Sequence, residues 1–347
     1  MKIFGFRFAA RVLALSPLLL APALAAERAP PAAGVNFSGA EFGKPSGVVD
    51  HDYHYPSDAD FEWAKRSGFV VIRLPFLWER LQPKADGEFD AAELERLTGA
   101  VARARAKGLA TILDPHNYAR RDGAIVGSDE LPASALADLW RRLAARFKTE
   151  KDVVFGLMNE PHDMPVAQWG RAAQAAIDAI RSTGACNLVL VPGANWTGAH
   201  SWNAEIGGQS NAHAMAAIRD RGAHAFEFHQ YLDADWSGEH AECRKPEEVV
   251  AALAVATDWL RAHRQKGFLG EFGAGPDAQC RAGVDAMLKH MRDNGDVWRG
   301  WTWWAAGAWW PPSYPLQIQS PPGAPAKPQM ETLAHWIGKT PAPRGCR

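Results

Sequence analysis

The feature that most constrains the fold is an eightfold alternation of short apolar runs with amphipathic segments. Each unit has an apolar or β-branched run, a loop, and then a stretch whose Ala, Leu and Arg spacing fits a helix. Strands that alternate with helices pair in parallel, and eight such units predict an α/β fold, a (β/α)8 TIM barrel, as one domain. A doubly wound open sheet is the alternative, but no G-x-G-x-x-G follows the first strand.

The repeating units predict the following elements. The strands are Gly34–Phe37, Val70–Phe76, Ala110–His116, Val153–Glu160, Leu188–Pro192, Ala225–Tyr231, Gly267–Phe272 and Gly300–Trp304. The predicted helices include Asp90–Lys107, Leu131–Thr149, Val166–Thr183, Pro246–Gln265 and Asp277–Asn294. We expect the Pro-rich stretch 311–328 to be a loop within the last unit.

The first 26 residues have the pattern of an export signal. Lys2, Arg7 and Arg11 precede an apolar run, and Ala23-Leu24-Ala25 supplies a small-x-small cleavage pattern. A membrane anchor is the alternative, but the run is short for a bilayer. We therefore expect residues 1–26 to be a signal peptide and 27–347 a catalytic barrel, secreted or periplasmic after export.

The charge pattern limits the kinds of partner that the chain could bind. The formal net charge is −1 and no block of like charges occurs, which argues against a nucleic-acid partner, since that would need a basic face. No later segment is apolar enough to cross a membrane. We expect a monomer with no membrane partner.

Polar residues stand where the predicted strands end. In a barrel of this kind, such side chains converge on one face and build the site. A charged or imidazole group after an apolar run is a poor choice for stability alone, and it recurs on successive units. The ends read Arg73-Leu74-Pro75, Asp114-Pro115-His116-Asn117, Asn159-Glu160-Pro161, His229-Gln230-Tyr231, Gly270-Glu271-Phe272 and Trp303-Trp304.

Two carboxylates, Glu160 and Glu271, end the fourth and seventh strands. Glycoside hydrolysis needs such a pair across a cleft, one protonated to assist the leaving oxygen and one ionised to face the developing positive charge. We expect Arg73 and Tyr231 to favour the ionised form of Glu271, and greater burial to raise the pKa of Glu160.

A metal centre is the competing interpretation of the same residues. His116 and His229 could ligate an ion together with the two carboxylates. Their spacing matches no metal-ligand motif, so we expect neither a metal nor a cofactor.

Several residues near the strand ends have two readings. Fifteen Trp residues are many for this length, and we expect about two-thirds in the core, given the apolar area each one buries. Trp196 directly follows the fifth strand and is predicted to stack on leaving-group sugars, whereas Trp202 fits core packing equally well. Asp114 fits a structural ion pair, Asn36 a loop, and His162 either a helix cap or the site.

The strand-end motifs resemble glycoside hydrolase family 5, in particular its endoglucanase branch that includes fungal secreted cellulases. The resemblance spans about residues 34–307, and the order N-E-P, H-x-Y, E-F-G is highly specific. The motifs are V-V-F-G-L-M-N-E-P-H-D at 153–163, H-N-Y-A at 116–119, F-H-Q-Y-L-D at 228–233, S-G-E-H-A-E-C at 237–243 and E-F-G within 270–273.

The resemblance implies a retaining mechanism and a role for each matching residue. Glu160 would be the acid/base and Glu271 the nucleophile that forms a glycosyl-enzyme intermediate. Asn159 would hold the sugar 2-hydroxyl. The other implied roles are positioning of the nucleophile by Arg73 and Tyr231, lining of the −1 subsite by His116 and His229, and a sugar platform at Trp304.

Three functions follow. The favoured one is a secreted endo-β-1,4-glucanase acting on cellulose or a related β-glucan, with a polysaccharide as its partner. The same mechanism on mannan, xyloglucan or mixed-linkage glucan is the second, because loops set specificity on such a fold. A non-catalytic glycan-binding barrel is the third, but it predicts loss of one carboxylate, and both are present.

Four cysteines in an exported chain predict disulfides. Cys243 follows the sixth strand and Cys280 the seventh, so both belong to the active-site face, whereas Cys186 and Cys346 belong to the opposite face. Of three possible connectivities, only Cys243–Cys280 with Cys186–Cys346 keeps each partner on its own face. The resemblance to fungal cellulases implies the first bond as well.

Overall fold

The computed structural model describes residues 1–2 and 29–345, and this part of the chain forms a closed barrel of eight parallel strands. The strands follow one another around the barrel in chain order, and the last pairs with the first, Ala32 opposite Gly300. The predicted TIM barrel is therefore confirmed. The predicted signal peptide lies almost wholly outside the described residues and stays a prediction.

The barrel strands match the eight predicted runs within a few residues. They are β1 (Ala32–Phe37), β2 (Val71–Phe76), β3 (Ala110–Pro115), β4 (Val153–Gly156), β5 (Val189–Pro192), β6 (His224–His229), β7 (Gly267–Glu271) and β8 (Trp298–Ala306). The fourth differs most, because β4 ends at Gly156 and the chain reaches Glu160 through an irregular segment. Glu160 itself has a positive φ of 39°.

The helices pack around the strands. They are α1 (Asp58–Arg66), α2 (Trp78–Leu81), α3 (Ala91–Ala106), α4 (Ala133–Phe147), α5 (Val166–Ser182), α6 (Asn211–Met215), α7 (Pro246–Ala262), α8 (Ala278–Asp293) and α9 (Pro328–Ala334). Side chains of Ser57, Asp90 and Asp277 accept from backbone N–H groups at the starts of α1, α3 and α8. These caps satisfy donors that the first helical turn leaves unpaired.

Apolar side chains occupy two regions. A large cluster fills the layer between strands and helices. A smaller cluster of strand residues fills the lower barrel interior: Val71, Ala110, Ile112, Val154, Leu188, Leu190, Ala225 and Phe268. Ten of the fifteen Trp residues are buried, which agrees with the expected two-thirds. Among the described residues, the helices are too short or too polar to span a bilayer.

A disulfide joins two loops on the upper face. Cys243, before α7, is bonded to Cys280 in the first turn of α8, with an S–S distance of 1.99 Å. This predicted bond is confirmed. Cys346 lies outside the described residues, so the Cys186–Cys346 bond stays a prediction; Gly345 does lie directly against the backbone of Cys186.

Candidate active site

Arg73, the third residue of β2, lies fully buried at the centre of a polar layer across the barrel. Its guanidinium contacts Asp114 at 3.1 Å, Glu227 at 3.1 Å, Glu271 at 2.7 Å, Asn36 at 3.0 Å and Asn159 at 2.8 Å. Burial opposes the cation, but the carboxylates outweigh it and raise the pKa of Arg73 above its ordinary value. Arg73 is therefore a permanent positive charge, and its contacts orient the surrounding side chains.

Glu271 ends β7 and has both carboxylate oxygens held. Arg73 donates to Oε1 at 2.7 Å, and the hydroxyl of Tyr231 donates to Oε2 at 2.8 Å. The side chain is 5% exposed. These contacts confirm the predicted proximity of Arg73 to Glu271 and leave the carboxylate one orientation.

Glu160 lies opposite, at 14% side-chain exposure. His229 links the two acids, because its Nδ1 lies 2.6 Å from Oε1 of Glu160 and 3.6 Å from Oε2 of Glu271. One oxygen of Glu160, one oxygen of Glu271 and a ring nitrogen of His229 all lie within 4.8 Å of one another. The two carboxylates therefore face each other across a short gap.

The burial of the two acids differs from expectation. The sequence reasoning assigned the greater burial to Glu160, but Glu271 is the more buried, because it ends a barrel strand while Glu160 follows an irregular segment. Burial raises the pKa of Glu271 above its ordinary value, and nearby His229 and Arg73 act in the opposite direction. The expectation that Arg73 lowers the pKa of Glu271 is therefore wrong in its net direction, because burial outweighs Arg73.

His229 carries an unusual charge environment. Burial favours the neutral ring, but the carboxylates of Glu271 and Glu160 outweigh it and raise the pKa of His229 to about 10. The raised pKa favours the imidazolium form of the ring. Its positive charge lies between two acids that could not both ionise so close together without a cation.

His116 and Asp114 form a second acid–imidazole pair. His116 Nδ1 lies 2.7 Å from Asp114 Oδ2, and Asp114 also pairs with Arg73. The expected structural ion pair of Asp114 is therefore present. Burial favours the neutral form of His116, but Asp114 outweighs it and raises the pKa of the ring. Trp304 stacks against His116 with ring centroids 5.5 Å apart.

A cleft of 570 Å³ opens above this layer and contains both carboxylates. On one side, Phe42 of the β1 loop and Trp310 and Tyr314 of the β8 loop line it together with Trp304. Phe42 stacks on Trp309 at 4.5 Å and Trp310 on Tyr314 at 4.2 Å. The Pro-rich stretch thus contributes an upper-face loop, as expected.

The opposite side of the cleft carries Trp196, which is 46% exposed. Its indole stacks on His162 with ring centroids 3.7 Å apart and an interplanar angle of 6°, and the edge of Tyr118 meets it at 5.8 Å. His162 therefore supports Trp196, whereas the N-cap of α5 is Pro165. Trp202 is fully buried and belongs to the core.

The loop between β6 and α7 forms the third wall. Trp236, Ser237, Gly238 and Glu239 line the cleft. Trp236 stacks on His200 at 5.3 Å and lies 4.4 Å from the guanidinium of Arg244. Because Cys243 is next to Arg244, the disulfide secures the base of this wall.

Sequence reasoning missed or undervalued two members of the polar layer. Glu227 is buried within β6. Because a Phe residue stands on each side of it, sequence reasoning treated this position as part of an apolar strand and did not consider it for the site. Asn36 is no loop residue, because its amide donates to the carbonyls of Gly270 at 3.0 Å and Trp303 at 3.1 Å. Alternation along β6 places Glu227 and His229 on the same side, a signal that could have identified Glu227.

Metal binding can be tested on the donor atoms. Among the described residues, groups of three potential ligand atoms occur at Glu160–His229–Glu271 and at Asp233, Asp235 and His240. In the first, Nδ1 of His229 already lies 2.6 Å from Oε1 of Glu160. In the second, Asp233 Oδ2 already accepts from Ser237, Gly238 and His240. The expected absence of a metal or cofactor stays a prediction.

Comparison with known proteins agrees with this site. The family model "Cellulase (glycosyl hydrolase family 5)" matches residues 33–307. Endo-β-1,4-glucanase B of Emericella nidulans is 37% identical over 280 residues, which is 80% of this chain and 83% of the relative.

Solved structures extend the agreement to the fold. An endo-β-1,4-glucanase of Xanthomonas axonopodis pv. citri is 50% identical, with a TM-score of 0.86 over 88% of this chain and 98% of that one. The structure of XacCel5A in complex with cellopentaose is 48% identical, with a TM-score of 0.87 over 88% and 99% of the two chains. The chain therefore belongs to glycosyl hydrolase family 5, the cellulase family.

Proposed function

We propose that this chain hydrolyses internal β-1,4-glucosidic bonds of a β-glucan by a retaining double displacement, with Glu160 as acid/base and Glu271 as nucleophile. The observation that carries the proposal is the approach of the two carboxylates to within 4.8 Å. Retaining enzymes hold this pair about 5 Å apart, whereas inverting enzymes leave about 6.5–9.5 Å for a water molecule.

Glu271 has the environment of a nucleophile. Arg73 and Tyr231 donate to its two oxygens, and these hydrogen bonds favour the carboxylate against burial, which raises the pKa of Glu271. In the first step an oxygen of Glu271 bonds to the anomeric carbon, and the bond from that carbon to the leaving oxygen breaks. Arg73 and Tyr231 fix the direction of attack, because they leave the carboxylate no alternative rotamer to adopt without losing a hydrogen bond.

Glu160 has the environment of an acid/base. It is the more exposed of the two acids, and it lines the cleft. In the first step it gives its proton to the leaving oxygen, and in the second it takes a proton from the water that attacks the glycosyl-enzyme. Access to water suits the second step.

The substrate contacts follow from unused groups in the cleft. The Nδ2 donor of Asn159 is buried and has no hydrogen-bond partner, while its Oδ1 is held by Arg73. A sugar 2-hydroxyl at this position would satisfy that donor. His116, His229 and Trp304 bound the same pocket and form the −1 subsite. Trp196 presents an open face on the leaving-group side, since His162 covers the other.

XacCel5A, a relative that shares the fold, was solved in complex with cellopentaose, which supports a β-glucan chain as the substrate. The enzyme acts as a monomer on polysaccharide outside the cytoplasm, once residues 1–26 have been removed. The positive start, apolar run and small-x-small pattern of those residues support export.

Product stereochemistry and a substrate panel test the proposal. Proton NMR of cellotetraose during hydrolysis should show the β-anomer of the new reducing end first, with the α-anomer appearing only by mutarotation. An α-anomer formed first would mean inversion and would reject the mechanism. Reducing-end release should be greater from carboxymethyl-cellulose than from glucomannan or xyloglucan; the reverse order would replace the proposed substrate and leave the mechanism standing.

A further inference from the structure

Both ring nitrogens of His229 face carboxylate oxygens. Nδ1 lies 2.6 Å from Oε1 of Glu160, and Nε2 lies 3.5 Å from Oε1 of Glu227. A neutral imidazole has one N–H and one lone pair, so one of these contacts would then set a lone pair against an anion. Once Glu160 is ionised, only the doubly protonated ring makes both contacts attractive.

Glu227 is a costly residue at its position. It is 1% exposed, on β6 inside the barrel, and its Oε2 has no hydrogen-bond partner. Burying a carboxylate costs several kcal/mol unless it is paired, and a Gln of the same size would avoid that cost. The charge of Glu227 therefore has a use that its shape alone does not explain.

The surrounding backbone is built to admit this carboxylate. A Cβ on Gly270 of β7 would collide with Oε1 of Glu227, so the glycine keeps that space open. The carbonyl of Glu227 accepts from the hydroxyl of Thr197 at 2.6 Å, which fixes the backbone. Its Oε1 lies 3.1 Å from Nε of Arg73, an ion pair whose angle is not that of a hydrogen bond.

We propose that Glu227 is a positioning residue for the acid step, whose buried carboxylate holds His229 as the imidazolium that stabilises Glu160 as it gives up its proton. Glu227 lines no part of the cleft among the described residues, so it acts through His229 and not on the sugar. The inference rests on the proposed function, because it assigns the acid role to Glu160.

The chemical consequence concerns developing charge. When Glu160 protonates the leaving oxygen, it becomes an anion, while Glu271 loses its charge to the new bond with the sugar. An imidazolium in contact with Glu160 stabilises the anion that forms there, whereas a neutral ring would not. Burial favours the neutral form of His229, but the anions that face the ring, Glu160, Glu271, Glu227 and Asp114, act in the opposite direction.

The first test reads the ring directly. In a proton–nitrogen NMR titration of the whole enzyme, both ring nitrogens of His229 should stay protonated through pH 8. In Glu227→Gln the ring should lose a proton at a pH at least one unit lower. A wild-type His229 that is neutral at pH 7 would overturn the inference even if the variant did not fold.

The second test reads the acid step. Glu227→Gln should lower kcat/KM on cellotetraose about tenfold or more, in the range of acid–base contributions. With 2,4-dinitrophenyl cellobioside, whose leaving group needs no proton, the loss should be severalfold smaller. Equal losses on both substrates would assign Glu227 a structural role and reject the inference.

Two control variants separate the possible failures. Glu93→Gln removes another buried carboxylate, one that pairs with Tyr53, Tyr55 and Arg96 away from the cleft, and it should leave the ratio of the two substrates unchanged. Glu160→Gln should show the same substrate dependence as Glu227→Gln, only larger. If Glu160→Gln lacks this substrate dependence, the proposed function fails. If Glu160→Gln shows the substrate dependence and Glu227→Gln does not, only the inference on Glu227 fails.

Discussion

Arg73 donates to Oε1 of Glu271 at 2.7 Å, although the two residues are 198 positions apart in the sequence. The contact crosses the barrel interior from β2 to β7 and is fully enclosed. It joins the centre of the polar layer to the proposed nucleophile, so the same guanidinium that neutralises the buried carboxylates also aims the reacting one.

Replacing Arg73 should therefore affect stability as well as activity. Arg73→Met leaves Asp114, Glu227 and Glu271 buried without their guanidinium, and breaking such a buried pair costs about 3–5 kcal/mol. Urea unfolding at pH 7 measures the loss. The surface variant Arg105→Met, which breaks pairs with Glu150 and Asp152, should cost about 1 kcal/mol or less.

The stability that Arg73→Met loses should become smaller at acidic pH. Burial would raise the pKa of Asp114, but Arg73 and His116 outweigh it and lower that pKa below 3.8. A lowered carboxyl pKa contributes stability that is present above 3.8 and disappears as the pH falls through the lowered value. The difference between wild type and Arg73→Met should narrow below about pH 4; a difference that widened there would contradict the assignment.

The raised pKa of His229 predicts that the free energy of unfolding falls as the pH rises into the alkaline range. Its pKa is raised from 6.5 to about 10, so its stabilising contribution is complete below pH 6.5 and is lost as the pH rises towards 10. The free energy of unfolding of wild type should fall over this window, and His229→Gln should lack that part of the fall. His51→Gln, which changes an exposed histidine, is the control and should keep the wild-type slope.

Much of the site could be predicted from the sequence because the ends of the strands can be recognised from the residue pattern. Apolar runs followed by His116, His229 and Glu271 place each side chain at the upper edge of its strand, and barrel closure then brings them together with Arg73 from within β2. Glu160 was placed correctly although its strand ends four residues earlier, since the irregular segment still returns the side chain to the cleft.

What the sequence could not show depends on packing between distant strands. The charge of His229 results from Glu160, Glu227 and Glu271 on three different strands or loops, and no local pattern contains that sum. The prediction that Glu160 is more buried than Glu271 was wrong for the same reason. Support of Trp196 by His162 likewise depends on the unusual backbone of Trp196, with φ of 60°.

Trp196 should determine affinity on the leaving-group side. Trp196→Ala removes a sugar platform worth about 1 kcal/mol, so KM for cellopentaose should rise roughly fivefold to tenfold, with kcat little changed. An aryl cellobioside has no sugar beyond the scissile bond, and its KM should not move. A rise of KM on the aryl substrate of equal size would place Trp196 elsewhere in the cleft.

The Cys243–Cys280 bond should stabilise the fold through the loop it closes. The double variant Cys243→Ser with Cys280→Ser should lower the free energy of unfolding by about 3 kcal/mol. Because the bond lies beside Arg244 and the wall that carries Trp236, we also expect faster proteolysis within residues 233–243. Unchanged unfolding and unchanged proteolysis would show that the loop is held without the bond.

The central claim is that Glu271 forms a covalent bond to the sugar while Glu160 supplies the proton. A 2-deoxy-2-fluoro cellobioside with a dinitrophenyl leaving group forms the intermediate faster than water can release it, so mass spectrometry can locate the sugar. The account predicts one added fluorocellobiosyl group per chain, mapped to the peptide containing Glu271, and none in Glu271→Ala. A label on Glu160 or on any other residue, or turnover of the reagent with no label at all, would contradict it.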